Sequence, residues 1–217
     1  MQDGGAWDEL VARLPAEWEF QRPNLMGHRS LGAAAEAVTR RSHLVGYSMG
    51  GRLALWIAAH RPELVLSLTT IGAHAGLAPS ERAARAAADE ALAQRIEREG
   101  IEWFARYWAA QPMFARLAGR ADLDAMRRRQ DAAAVAATLR GLGPAAVEPF
   151  WDRLGGIEAP ALFIAGAEDG RYPDLARRLA RAVPHGRAEV VPGAGHAVHL
   201  EQPDQVARLL RSHLSTR

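Results

Sequence analysis

The chain has no cysteine and no lysine. Without cysteine there can be no disulfide, no thiol nucleophile and no cysteine-ligated zinc, and no redox compartment is excluded. No apolar run approaches the roughly 18 residues needed to cross a bilayer, so no membrane association is expected. The opening stretch MQDGGAWDEL lacks the basic and apolar regions of a signal peptide, and a cytoplasmic location is the expectation. Charge of one sign is also lacking. The 27 basic residues, all arginine, face 25 acidic ones for a net +2, although the isoelectric point is about 9.6. No basic run interleaved with aromatics points to nucleic acid, and the triplet Arg127-Arg128-Arg129 reads first as a solvated helix face. What remains is an ordinary globular composition, 48% apolar and 24% charged over 217 residues. That is enough for one domain with a sizeable core and a small inserted subdomain.

Three zones follow one another. Residues 1–77 read as α/β material, the N-terminal part of a core. AWDELVARL (6–14) spaces Trp7, Leu10, Val11 and Leu14 at helical period, and residues 17–28 are expected to hold a short strand ending at Pro23. SHLVGYS (42–48) is a strand entering a glycine turn. GRLALWIAAHRP (51–62) is a helix stopped by Pro62, and LVLSLTTIG (64–72) is a strand buried on both faces. Residues 78–152 are helical throughout. Pro79, Ser80 and Glu81 open the first helix with an acidic turn, Gly100 interrupts it, and AMRRRQDAAAVAATLRGL (125–142) is expected to be helical. This block reads as an inserted cap. Residues 153–217 return to the core with strands in 159–170 and 187–196 and helices over 172–184 and 202–214. Strands alternating with helices predict a mostly parallel sheet covered on both faces.

The chemistry concentrates at strand ends. Gly46-Tyr47-Ser48-Met49-Gly50-Gly51 lies between a predicted strand and a predicted helix, the context of a nucleophile elbow. Small residues let the backbone turn sharply there. The helix N-terminus then offers N–H groups, that of Met49 among them, to a developing oxyanion. A serine hydroxyl needs a group to take its proton, and on this architecture the expected order is serine, acid, histidine. AGAEDG (165–170) puts Asp169 after one apolar strand, and GAGHAVHLEQP (193–203) puts His196 after the next. Both positions are carboxyl ends of strands, where open parallel sheets gather their sites. His196 is the expected base and Asp169 its orienting acid. Glu168 and Asp174 are the competing acids. His196 and His199 form an H-x-x-H pair, but no third residue has ligand spacing, so no metal is expected. His28, His43, His60, His74, His185 and His213 lack a comparable context.

The three quoted motifs resemble the α/β-hydrolase fold superfamily. The segment between them, with GAHAGL, the arginine-rich helix entry and EWFARYWAAQPMF, resembles the cap of the 2-succinyl-6-hydroxy-2,4-cyclohexadiene-1-carboxylate synthases of menaquinone biosynthesis. The similarity runs from about residue 6 to the C-terminus. The resemblance implies a carbon–oxygen lyase. It would eliminate pyruvate from 2-succinyl-5-enolpyruvyl-6-hydroxy-3-cyclohexene-1-carboxylate, with a Ser48–His196–Asp169 relay abstracting a proton and no metal or organic cofactor. It further implies a small-molecule carboxylate substrate held by Arg52, Arg85 and Arg129, with Tyr47 and Trp108 as aromatic walls. Guanidinium groups suit carboxylates, which they bind in bidentate fashion. Nothing in the chain indicates an oligomeric state.

The resemblance is weakest at the start. The family opens with a strand and a His-Gly-Phe-type loop that supplies a second oxyanion N–H, and MQDGGAW aligns after it. The family's Asp-x-Pro-Gly-His-Gly turn corresponds to NLMGHRS, with Asn24, Met26 and Arg29 as departures. The expectation is therefore an α/β-hydrolase core whose N-terminal strands are missing or lie upstream of Met1. Two other functions stay open on the sequence. One is a serine hydrolase of the same fold acting on an ester, lactone or C–C bond. The other is a shortened relative that is weakly active or non-catalytic.

Overall fold

A computed structural model describes residues 3–215. Its regular elements, in chain order, are α1 (Asp8–Val11), α2 (Leu31–Ala35), β1 (Ser42–Tyr47), α3 (Met49–His60), β2 (Val65–Ile71), α4 (Pro79–Ala109), α5 (Ala121–Arg128), α6 (Ala132–Leu142), β3 (Ala161–Gly166), α7 (Tyr172–Ala182), β4 (Gly186–Val191), α8 (Val198–Glu201) and α9 (Pro203–Leu214). The chain divides into two compact units. One comprises residues 1–6, 22–37 and 76–149, the other residues 7–21, 38–75 and 150–217. Residues 22–37, grouped with the core by sequence, thus cluster with the helical block.

The second unit holds a four-stranded sheet in the order β1-β2-β3-β4, every pair parallel. Its strands are the short, β-branched and apolar runs of the sequence. β2 and β3 are buried along nearly their whole length, as a parallel sheet covered on both faces requires. On one face Ile71, Leu162, Ile164 and Val191 pack with Leu10 of α1 and with Val206, Ala207 and Leu210 of α9. Proline opens α7 and α9 at their first turns, where its missing N–H has no intrahelical role. The register aligns Tyr47 with Ile71, and Ile71 with Ile164. The carboxyl ends of β1, β2 and β3 therefore lie side by side. Three backbone bonds extend the ladder one step into the loops: Ser48 N–H to Ile71 O at 2.8 Å, Gly72 N–H to Ile164 O at 2.9 Å and Ala167 N–H to Val191 O at 2.9 Å.

The first unit is helical. Glu81 accepts the Ala78 N–H at 3.1 Å and fixes the start of α4. Gly100 (φ 78°, ψ 179°) kinks this helix where the sequence predicts an interruption. Ala93, Ile96 and Phe104 of α4 pack on Val135, Ala136 and Leu139 of α6. Arg140 of α6 bonds Glu90 at 2.8 Å and Glu97 at 2.5 Å on α4.

Two expectations are corrected. Residues 17–28 contain no strand. The stretch is largely exposed and finds no ladder partner among the described residues, so its backbone has nothing to pair with. The helix expected over 125–142 is two helices. Asp131 caps the second by accepting the Ala134 N–H at 2.7 Å, a bond available only if the chain leaves helical geometry there.

Candidate active site

Ser48 sits between β1 and α3 with φ 50°, the only non-glycine residue with positive φ among those described. The turn is possible because its neighbours are bare. A Cβ on Gly46 would lie 2.3 Å from Gly50 O, and one on Gly51 would lie 2.8 Å from Ala73 Cβ. The strained turn lifts the serine above the sheet. Met49 opens α3, so its N–H belongs to the first turn, where no intrahelical partner exists.

The sequence-predicted trio converges within this unit. Ser48 Oγ–H donates to His196 Nε2 at 3.0 Å, and His196 Nδ1–H donates to Asp169 Oδ2 at 2.7 Å. Asp169 is the residue paired with the imidazole, not Glu168 or Asp174. His196 and Asp169 are 1% and 7% exposed, so the pair is shielded from water and its electrostatics are correspondingly strong. Both loops carrying them are tied together, since the Glu168 N–H donates to Ala194 O at 2.9 Å. The arrangement can carry a proton from Ser48 to His196 while Asp169 fixes the imidazole tautomer.

Gly72, just beyond β2, has no motif of its own in the sequence. It has φ +59°, and a Cβ there would sit 2.8 Å from His196 Cε1 and 3.0 Å from Nδ1. The only sequence signal was a glycine ending a strand next to the elbow strand. In sequence His199 stands out only as half of the H-x-x-H pair. Its ring is buried, stacked on Trp7 at 4.7 Å and tilted against Tyr47 at 4.4 Å, and neither nitrogen has a hydrogen-bond partner among the described residues. Burial, reinforced by the nearby His196, pushes its pKa down to about 3. Both nitrogens of His196 are used by Asp169 and Ser48, and among the described residues no group of three or more acidic or histidine side chains is placed to hold a metal ion.

The remaining candidates are placed as follows. The Tyr47 ring lies 5.2 Å from that of His196. Arg52 is buried one turn into α3, its backbone N–H bonded to Ser48 O at 2.9 Å. Arg85 pairs with Asp89 at 2.8 Å, four residues on along α4. Trp108 lies tilted against Phe104 and Phe114, ring centres 5.3 and 5.8 Å away, in the helical unit. Arg129 is exposed, 3.8 Å from Asp3. Of the triplet it is Arg127 that is buried, its side chain 3% exposed and bonded to Asp124 at 2.7 Å, against 66% for Arg129. A buried guanidinium at this place has no composition signal, because three identical residues in a row do not reveal their helical phase.

A strand, a strained serine turn, and an acid and a histidine beyond the third and fourth strands define the α/β-hydrolase class, and a model of the Alpha/beta hydrolase family matches residues 4–209. The chain belongs to this family. Among its relatives, proteins named 2-succinyl-6-hydroxy-2,4-cyclohexadiene-1-carboxylate synthase from Enterobacter sp. (strain 638) and Klebsiella pneumoniae are 34% and 33% identical, each over 80% of this chain and 67% and 68% of their own. A Bacillus subtilis (strain 168) relative, provisionally given the same name, is 36% identical over 80% of this chain. The chain spans 65% of that relative's length. In structure, MenH from S. aureus is similar with a TM-score of 0.90 over 98% of this chain and 89% of its own, at 22% identity. An esterase from Thermogutta terrifontis follows with a TM-score of 0.77 over 98% and 85%, also at 22% identity. Both show the fold.

Proposed function

We propose that the protein is a lyase of menaquinone biosynthesis that eliminates pyruvate from 2-succinyl-5-enolpyruvyl-6-hydroxy-3-cyclohexene-1-carboxylate. The observation that carries this reading is the 32–36% identity, over about four fifths of the chain, to relatives named for the product of that reaction. Ser48, His196 and Asp169 are assigned as catalytic, and Met49 N–H as an oxyanion donor.

The steps follow from the relay. His196 Nε2 takes the Ser48 hydroxyl proton as the serine oxygen takes a proton from a ring carbon of the substrate. The C–H electron pair becomes a ring double bond and, through the conjugated system, breaks the carbon–oxygen bond to the enolpyruvyl group. Pyruvate leaves as its enolate and is protonated from the imidazolium side. No acyl-enzyme forms, so Ser48 acts as a base. Asp169 stabilises the transient imidazolium. Carboxylate recognition is assigned to arginines, with Arg52 beside the elbow. Arg85, Arg129, Tyr47 and Trp108 remain assigned to substrate contact by resemblance. The substrate is a small carboxylate, and among the described residues no helix is long and apolar enough to cross a membrane.

A serine hydrolase is the second reading. It is favoured by structural similarity to the Thermogutta esterase and to an enol-lactonase from Burkholderia xenovorans LB400, the latter with a TM-score of 0.73. Purified protein incubated with the cyclohexene substrate separates the two. Pyruvate release, lost in Ser48→Ala, supports the lyase. Serine-dependent p-nitrophenyl ester turnover without any pyruvate overturns it in favour of the hydrolase.

A further inference from the structure

His196 works only if its ring holds both ends of the relay at once, and that depends on the loop bearing it. The loop follows β4 and is rich in glycine and alanine, Gly193-Ala194-Gly195-His196-Ala197. Ala194 and Ala197 are fully buried, Ala194 within the core cluster, while the glycines on the way to His196 allow many backbone conformations. Hydrogen bonds must select among them. Five residues beyond His196, the Glu201 carboxylate turns back upon it. One oxygen accepts the Gly195 N–H at 2.6 Å and the other accepts the Ala197 N–H at 3.0 Å. These are the two amides that flank His196. From the other side, the Glu168 N–H holds Ala194 O, while Ala197 O accepts the Leu200 and Glu201 N–H groups at 2.8 and 3.0 Å. The main chain is thus fastened immediately before and after the histidine.

We propose that Glu201 is a positioning residue for His196, its carboxylate clamping the two amides on either side of the imidazole so that Nε2 and Nδ1 meet Ser48 and Asp169 together. The inference rests on the Ser48–His196–Asp169 reading. A charged acceptor matters because hydrogen bonds to a carboxylate are stronger than neutral ones. Two oxygens are needed because the two amides are separate donors. Removal leaves a flexible loop free to shift by the fraction of an ångström that a proton relay does not tolerate. A displacement of about 1 Å at such a site costs on the order of 100-fold.

The test is the rate at which a fluorophosphonate probe modifies Ser48 in the full chain, with maximal rate and half-saturating concentration measured separately. Glu201→Ala is expected to lower the maximal rate about 10- to 100-fold with little change in half-saturation. Glu201→Gln, which retains one acceptor oxygen, should fall between Glu201→Ala and the parent. Val206→Ala, in the α9 core and away from the relay, serves as the control for lost stability. A Glu201→Ala rate equal to the parent's, or reduced no more than in a Val206→Ala variant of equal melting temperature, overturns the inference. If Glu201→Ala does not fold, the Gln variant decides alone, and a parental maximal rate there overturns the proposal. Ser48→Ala and His196→Ala run alongside. Undiminished labelling in those two removes the relay reading itself, whereas their failure to label together with a parental Glu201→Ala removes only the clamp.

Discussion

An isolated serine hydroxyl is too weakly acidic to abstract or donate a proton usefully near neutrality. At Ser48 it is changed by its neighbours, since φ 50° presents the oxygen and His196 lies 3.0 Å away. Ser48→Ala is therefore expected to abolish both pyruvate release and fluorophosphonate labelling while leaving the melting temperature within a few degrees. Gly72 is the less obvious residue of this group. A methyl group there would press on His196 Cε1 at 2.8 Å, and the left-handed backbone at φ +59° disfavours any side chain. Gly72→Ala should lower the rate about 100-fold or more by turning the imidazole off the relay, with melting as the check that the chain remains folded. A parental rate in that variant would mean that the ring has room the distances do not show. Among the arginines, Arg52→Gln beside the elbow is expected to raise KM for the carboxylate substrate at least about tenfold. An unchanged KM in that variant, with pyruvate still released, would remove Arg52 from substrate binding.

At the scale of elements, the site is built from the ends of parallel strands, and the chain that closes each end has a steric reason for its sequence. Gly46 is the tightest case, because a Cβ would meet a backbone oxygen 2.3 Å away, which no side-chain rotation relieves. Gly46→Ala is expected to destabilise the second unit by about 2 kcal/mol or more, as overpacking against fixed backbone does, read as a lowered denaturation midpoint with activity lost in step. The sequence made much of this visible. β2 and β3 are apolar runs, and strands buried on both faces must look that way. Asp169 was legible because it follows β3, and His196 because a glycine-rich turn follows β4. The sequence failed where a contact distant in the chain decides the outcome. The stretch 17–28 has local strand character, but a strand exists only with a partner. The helical period runs unbroken through residues 129–131, yet the cap formed by Asp131 wins locally. Gly72 and Glu201 look ordinary in sequence because their importance lies in what they approach, a ring 124 and a loop six residues away in numbering. Gly51, just after the Gly-x-Ser-x-Gly pattern, has no room for a side chain, since a Cβ there would lie 2.8 Å from that of Ala73 beyond β2.

For the whole molecule, the same packing that shields the relay makes folding depend on pH. The His199 ring packs against Trp7 and Tyr47 with no hydrogen-bond partner on either nitrogen among the described residues, and His196 adds to the lowering of its pKa. Its pKa of about 3 in the folded chain is far below the 6.5 of an exposed imidazole. The folded state therefore refuses a proton that the unfolded state takes up. The neutral ring's full contribution is present above pH 6.5 and is lost as pH falls from there towards 3. The effect is at most about 5 kcal/mol, since one unit of pKa corresponds to about 1.4 kcal/mol. His213, half-buried beside Arg187 and His43, is shifted in the same direction, first by burial, and steepens the same limb. Urea midpoints measured between pH 8 and pH 4 should fall progressively below about pH 6.5. His199→Phe keeps a ring between Trp7 and Tyr47 but removes the titrating group, so it should flatten the acid limb while changing the midpoint little at pH 8. His213→Gln should flatten it less, because that site is only partly shielded from water. An acid limb as steep in His199→Phe as in the parent would locate the pH dependence elsewhere in the chain and not in the ring behind the relay.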